Sequence, residues 1–194
     1  MLYTIGHSNH HPEAFAQLLK TYGIEALADV RSSPFSRHFP HFNAPELKKL
    51  LKAIGIRYVP MGSELGGRPQ SPDLYDAEGH ADYAKMSRTE VFRQGLERLR
   101  QGMKRYRVAL MCSEEDPNEC HRRLLIVRVL CDEEPGLCEL VAHIRGNGEL
   151  QRESELRCRE QTEQPLFTEA KPWRSPKSIR SASPTKAQNS SLSF

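Results

Sequence analysis

The sequence predicts a single α/β domain over residues 1–150, with about five mainly parallel strands alternating with helices. Three observations predict it. Short apolar runs of strand length recur along the chain, amphipathic stretches at helical spacing separate them, and the connections are too long for hairpins. That order implies an open three-layer sheet or a partial β/α barrel, and both place ligands at the carboxyl ends of the strands.

Residues 2–6 (Leu-Tyr-Thr-Ile-Gly) read as a buried strand. Pro12 opens a helix with Phe15, Leu18, Leu19 and Tyr22 on one face, and Gly23 closes it. Residues 25–30 supply a second strand, followed by the turn-rich loop RSSPFSRHFPHFN. Asn43 is expected to cap the next helix, which carries Leu47, Leu50, Leu51 and Ile54 and ends at Gly55. Residues 56–60 form the third strand, and a long loop from Met61 to about Gly79 contains Leu65-Gly66-Gly67-Arg68. Ser87 and Glu90 have capping-box spacing before a helix bearing Phe92, Leu96, Leu99 and Met103. Residues 107–112 are the fourth strand. Asp116-Pro117-Asn118-Glu119 then reads as a helix start that places Cys120, His121 and Arg122 near the first turn. That helix runs to about Asp132, and residues 139–144 form the fifth strand.

Residues 151–169 are expected to hold a short docked helix. Residues 170–194, rich in Ser, Pro and Lys, lack apolar periodicity and are expected to be a disordered basic tail that adds little stability. The charge divides accordingly: residues 1–150 hold 20 basic and 20 acidic residues, and the excess of +3 belongs to the remainder. A neutral domain argues against a broad phosphate-backbone-binding face, but it leaves room for a local arginine pocket. No apolar run approaches membrane-spanning length, and the start of the chain lacks the pattern of a secretory signal. The five cysteines are odd in number and scattered, which fits a reducing compartment. The expectation is a cytoplasmic protein with no membrane association.

The strand ends carry polar residues that packing alone would not select. The string Thr4-Ile5-Gly6-His7-Ser8 is followed by Asp29-Val30-Arg31 with Pro34 and Ser36. Leu65-Gly66-Gly67 comes next, and then Cys112-Ser113-Glu114 through Cys120-His121-Arg122. This series resembles the bacterial and archaeal family catalogued as domain of unknown function 488, over roughly residues 2–146. The resemblance implies an α/β domain whose motif residues share a site, and it supplies no reaction.

On their own chemistry, His7, Cys112 and Glu114 are the catalytic candidates, and Ser8, Asp29, Arg31, Arg68, Cys120, His121 and Arg122 the substrate-binding ones. His7 suits a general base or a donor to an anion, unless it is merely structural. Asp29 and Arg31 form either a plain ion pair or an anion clamp in which Asp29 orients its neighbour. Arg122, near a helix N-terminus, adds to a cationic environment. Cys112 and Cys120 are small buried residues, or one is a thiolate activated by His121 and Arg122, or both are metal ligands. Cys-x₇-Cys-His is not a standard zinc spacing, so no metal is expected from it. Neither a Walker loop nor a GxGxxG pattern is present, so no cofactor is expected.

The acidic run Glu114-Glu115-Asp116 stands where rhodanese-type sulfurtransferases and cysteine phosphatases need an anion-cradling loop, which speaks against close kinship with them. The reading that follows is an enzyme acting on an anionic substrate, phosphate- or carboxylate-bearing and including nucleic-acid-derived ones. The alternative is a noncatalytic nucleic-acid or nucleotide-binding module. In that alternative Phe35, Phe39 and Phe42, interleaved with Arg31, Arg37, His38 and His41, would stack bases.

Overall fold

A computed structural model describes residues 1–163 and 172–178. The stretches 164–171 and 179–194, which include most of the tail expected to be disordered, lie outside the described residues. One six-stranded sheet organises the chain, built from β1 (Leu2–Gly6), β2 (Ala26–Asp29), β3 (Arg57–Pro60), β4 (Val108–Cys112), β5 (Val141–Ile144) and β6 (Leu150–Arg152). The strand order is β3-β2-β4-β1-β5-β6; all pairings are parallel except the antiparallel β5–β6 contact. The sheet has two edges, so it is open and not a barrel.

Period-two alternation sends side chains to opposite faces. Leu2, Ala26, Ala28, Val108 and Leu110 face one way. They pack against Phe92, Leu96 and Leu99 of α5 (Glu90–Met103) and Leu130 of α6 (Arg128–Glu133). Tyr3, Ile5, Leu27, Ala109 and Met111 face the other way. There they meet Phe15 and Leu19 of α1 (Pro12–Thr21) and Leu47 and Leu51 of α2 (Ala44–Ala53). This topology positions the site. The chain leaves β1 towards α1 on one face and leaves the neighbouring β4 towards α6 on the other, so a crevice opens between their carboxyl ends.

Several local expectations are corrected. Asn43 precedes α2 but makes no side-chain cap; its Oδ1 accepts the Ser36 amide at 2.7 Å and ties down the loop after β2 instead. Ser87 ends the short helix α4 (Tyr83–Met86), and Thr89 caps α5 by accepting the Phe92 amide. Asp116 caps only a 3₁₀ turn, Pro117–Glu119, after which Cys120 is extended. Helical backbone resumes at His121, and Arg122–Val127 is wound as a π-helix before α6. β6 was not anticipated. It pairs with β5 across Asn147-Gly148, where Gly148 adopts φ +87°, so an available Asn-Gly hairpin signal marked it.

Beneath the sheet edge runs a buried polar chain. Arg122 Nε–H donates to Thr4 Oγ1 at 3.2 Å, Thr4 pairs with His143 Nδ1 at 2.8 Å, and His143 Nε2 meets Glu153 Oε2 at 2.8 Å. Arg123 Nε donates to the same carboxylate oxygen at 2.8 Å. The network anchors α7 (Glu153–Glu163), the helix expected weakly after residue 150, onto the domain. Burial alone would raise the Glu153 carboxyl, but the His143 hydrogen bond and the Arg123 charge outweigh it and hold the group below the usual carboxylate range. Segment 172–178, within the stretch expected to be disordered, makes specific contacts. Trp173 donates its indole N–H to the Leu124 carbonyl at 2.7 Å and packs edge-on to Tyr83, while Arg128 lies over its ring. Ser175 exchanges hydrogen bonds with the backbone of Ala81.

Two outcomes follow from these contacts. Trp173→Ala is expected to cost about 2 kcal/mol in urea denaturation, because a half-buried indole and its hydrogen bond are both lost. Glu153→Gln is expected to cost about 3 kcal/mol at neutral pH, since it leaves Arg123 without its buried counter-charge. A carboxyl with a depressed folded value stabilises the protein above its unfolded value, and that contribution disappears as pH falls through the folded one. The stability gap between wild type and Glu153→Gln should therefore close as pH falls below about 4; a gap independent of pH would refute the assignment.

Candidate functional site

The crevice between β1 and β4 opens into a cavity of about 910 Å³. Backbone pairing continues past both strand ends: the His7 amide donates to the Cys112 carbonyl and the Ser8 amide to the Ser113 carbonyl, each at 2.9 Å. Ser8 sits in the left-handed region at φ +43°, unusual for a residue with a side chain. Gly6 has no tolerance for a Cβ, which would lie 1.8 Å from the Glu114 carbonyl oxygen. The close approach of these loops makes the floor of the cavity.

Of the residues selected from sequence, His7, Ser8, Arg31, Arg68, Cys112, Glu114 and His121 line this one cavity. Asp29 and Cys120 stand directly behind its wall, in contact with Arg31 and Glu114 respectively. Arg122 does not reach it. That guanidinium is entirely buried and donates to the carbonyls of Glu114 at 2.5 Å and Glu115 at 2.7 Å, so it shapes the loop and is not free for a ligand. Arg123 is likewise committed to Glu153, and Glu64 to Arg98 on α5.

Arg31 is pinned as well. Nε and Nη2 clamp the Asp29 carboxylate at 2.9 and 2.6 Å, and Nη2 also donates to the Phe42 carbonyl at 2.9 Å. Tyr58 adds a hydrogen bond to Asp29 at 2.9 Å. Nη1 donates to His7 Nε2 at 3.2 Å, which leaves one of the five guanidinium N–H groups for the cavity. His7 donates from Nδ1 to the Ser8 carbonyl at 3.0 Å and stacks on Phe42. Burial, followed by the Arg31 charge, lowers its pKa to about 4. A neutral imidazole whose lone pair is already engaged by Arg31 is a poor general base; His7 positions Arg31.

The reactive groups gather at the end of β4. Cys112 ends β4, and Cys120 and His121 return to it after the Pro117–Glu119 turn. Both sulfurs lie 3.1 Å from Glu114 Oε2, and His121 Nδ1 is 3.7 Å from Cys112 Sγ and 3.9 Å from Cys120 Sγ. His121 Nε2–H donates to the Val30 carbonyl at 3.0 Å, which turns the Nδ1 lone pair towards the sulfurs. The hydrogen bond to Cys120, together with burial, raises Cys112 well above the ordinary thiol range. On Cys120 burial is outweighed by the hydrogen bond from Cys112, the Arg122 charge and His121, which hold that thiol well below it. Burial and the Cys120 charge raise Glu114. The thiol and imidazole ligand atoms of Cys112, Cys120 and His121 all lie within 4.8 Å of one another, an assembly that the Cys-x₇-Cys-His spacing did not suggest.

Other cavity residues escaped the sequence reading. Ser32 Oγ accepts the Arg68 amide at 2.9 Å and so seats the turn after Gly67. Tyr83, Ser175 and Lys177 complete the wall. The serines directly after Arg31 were a visible signal; the contribution of segment 172–178 had none, because it depends on tertiary docking. Phe42 is fully buried and anchors its loop, whereas Phe35 stands 66% exposed at the cavity rim.

An open parallel sheet with a polar cavity at its topological switch point is the architecture of an α/β ligand-binding or catalytic domain. Within that class, the chain belongs to the family described as Domain of unknown function DUF488, which it matches over residues 11–129. The match includes Asp29, Arg31, Gly66, Gly67, Cys112 and Cys120-His121-Arg122, and it excludes β1 with His7 and everything from β5 onward. No curated protein and no solved structure is a significant match to the chain. No helix among the described residues is long and apolar enough to cross a membrane.

The Gly66-Gly67 pair has a direct structural meaning. A Cβ on Gly67 would fall 2.6 Å from His121 Cγ. Gly67→Ala should therefore displace the imidazole or the loop and destabilise the protein by about 1–3 kcal/mol in urea denaturation. An unchanged midpoint with an unchanged His121 NMR signal would show that the contact is slack.

Proposed function

We propose that this protein is an enzyme acting on an anionic substrate, phosphate- or carboxylate-bearing, held in the cavity at the carboxyl ends of β1, β2 and β4. One juxtaposition carries this reading: cationic donors and a cluster of reactive groups line one cavity. The remaining Arg31 N–H is a fixed donor, and the exposed Arg68 and Lys177 are further cations lining the cavity, Lys177 with Glu119 3.4 Å away as its present partner. Cys112, Glu114 and His121 supply the groups that can exchange protons or bind a reacting atom. A volume of about 910 Å³ suits a nucleotide-sized molecule. A second reading, a noncatalytic module for single-stranded nucleic acid, is favoured by one observation: Phe35 exposes its ring at the rim of a cavity flanked by Arg68 and Lys177.

Pyrophosphate and a short oligothymidylate separate these readings in calorimetric titrations at low salt. Under the enzyme reading pyrophosphate binds, and Arg68→Ala weakens it about tenfold, the loss of one charge-assisted contact. Phe35→Ala then leaves pyrophosphate binding unchanged. A panel of phosphate esters and carboxylate derivatives should include one that is turned over, with Glu114→Ala abolishing turnover while pyrophosphate still binds. Oligothymidylate binding that Phe35→Ala weakens, with no turnover of any panel member, establishes the module instead. If neither probe binds, both readings fall.

A further inference from the structure

We infer that Cys112, Cys120 and His121 form a zinc site whose fourth coordination position opens on the cavity. The inference needs only the geometry of the cluster and stands apart from the identity of the substrate. Two thiolates and an imidazole are a soft, borderline donor set that suits zinc and disfavours magnesium or calcium. With Zn–S near 2.3 Å and Zn–N near 2.0 Å, a sulfur and a nitrogen on one tetrahedron stand about 3.6 Å apart. The two observed separations, 3.7 and 3.9 Å, are close to that edge.

The surroundings match those of a metal ligand set. His121 offers Nδ1 because its Nε2–H is fixed on the Val30 carbonyl, the outer partner that sets tautomer and ring orientation in metal-bound histidines. Gly67 lies against the ring with no room for a Cβ, which would stand 2.6 Å from Cγ and 2.7 Å from Nδ1. Cys112 is held by the sheet, and the loop bearing Glu114 is held by Arg122. Glu114 Oε2 also stands 3.1 Å from each sulfur, so a carboxylate oxygen and two sulfurs converge on one spot.

Cys112, His121 and Glu114 line the cavity while Cys120 is behind it. The three-residue frame is therefore closed on the protein side and open towards the ligand, the arrangement of catalytic zinc and not of a sealed structural site. A water or substrate oxygen at the fourth position would share the cavity with Glu114, Arg31 and Arg68.

Metal analysis of the full-length protein, purified under reducing conditions without chelator, tests this. About one zinc per chain is expected, falling to roughly a tenth or less in Cys112→Ser, Cys120→Ser and His121→Ala. The double variant Cys131→Ser/Cys138→Ser, away from the cluster, should keep its zinc. Because a cluster variant can misfold, cobalt is also exchanged into the wild-type protein; a thiolate-to-cobalt charge-transfer band with intense tetrahedral ligand-field absorption is expected. Absence of zinc together with absence of that band overturns the site, as does zinc that follows the Cys131/Cys138 pair. Pyrophosphate titration reads the substrate proposal separately: a metal-free protein that binds pyrophosphate through Arg68 refutes only the zinc, and a zinc protein indifferent to pyrophosphate refutes only the anionic substrate.

Discussion

Everything at the carboxyl edge of the sheet depends on one buried cation. The Arg122 guanidinium has no exposed surface, yet it bonds Thr4 on β1 and the two successive carbonyls of Glu114 and Glu115 after β4. Those carbonyls turn inward because Gly6 offers no side chain to stop them. The loop is thereby folded back over the strand end, and the helix that carries Arg122 must begin close to Cys112. Cys120 and His121, immediately before Arg122, reach Cys112 for that reason. The same side chain lends positive charge to the buried thiol next to it.

The two central arginines thus belong mostly to the architecture. Arg31 is spent on Asp29, Phe42 and His7 and retains a single donor for a ligand; Arg122 retains none. Under the proposed function, recognition of an anion falls to the exposed Arg68 and Lys177, which line the same cavity as Arg31. A buried ion pair keeps its geometry when the ligand leaves, whereas exposed cations lose little by changing partners.

The four central parallel strands were readable because their apolar runs are short and dense, and the ends observed fall within a residue or two of those expected. β6 was not, since Leu150-Gln151-Arg152 is too short and polar to register as a strand, although its Asn-Gly turn was in plain view. The candidate site was legible as a set: a polar residue at a strand exit has no packing reason to be there, and topology brings neighbouring exits together. Individual roles were less accessible. Arg122 looked like an anion donor from its place near a helix start, and only its carbonyl partners show it to be a brace. Cys112, Cys120 and His121 were weighed as metal ligands and set aside on their spacing, but spacing measures distance along the chain, and the Pro117–Glu119 turn brings the three together. The displaced caps at Asn43 and Ser87 have separate causes: Asn43 Oδ1 accepts the Ser36 amide, whereas the Ser87 hydroxyl donates to the Ala84 carbonyl of the turn before it.

Segment 172–178 has a separate bearing on how such a site diversifies. It lies beyond the stretch shared with the family, is fastened by Trp173 and Ser175, and carries Pro176 and Lys177 to the rim of the cavity. The reactive cluster and the wall that faces an incoming ligand are therefore encoded in different parts of the gene. Changes in the appended stretch can alter what enters the cleft while the groups on its floor stay untouched, so selectivity and reactivity can evolve at independent rates. A chain with the same core and a different appendage would present the same chemistry behind a differently shaped door.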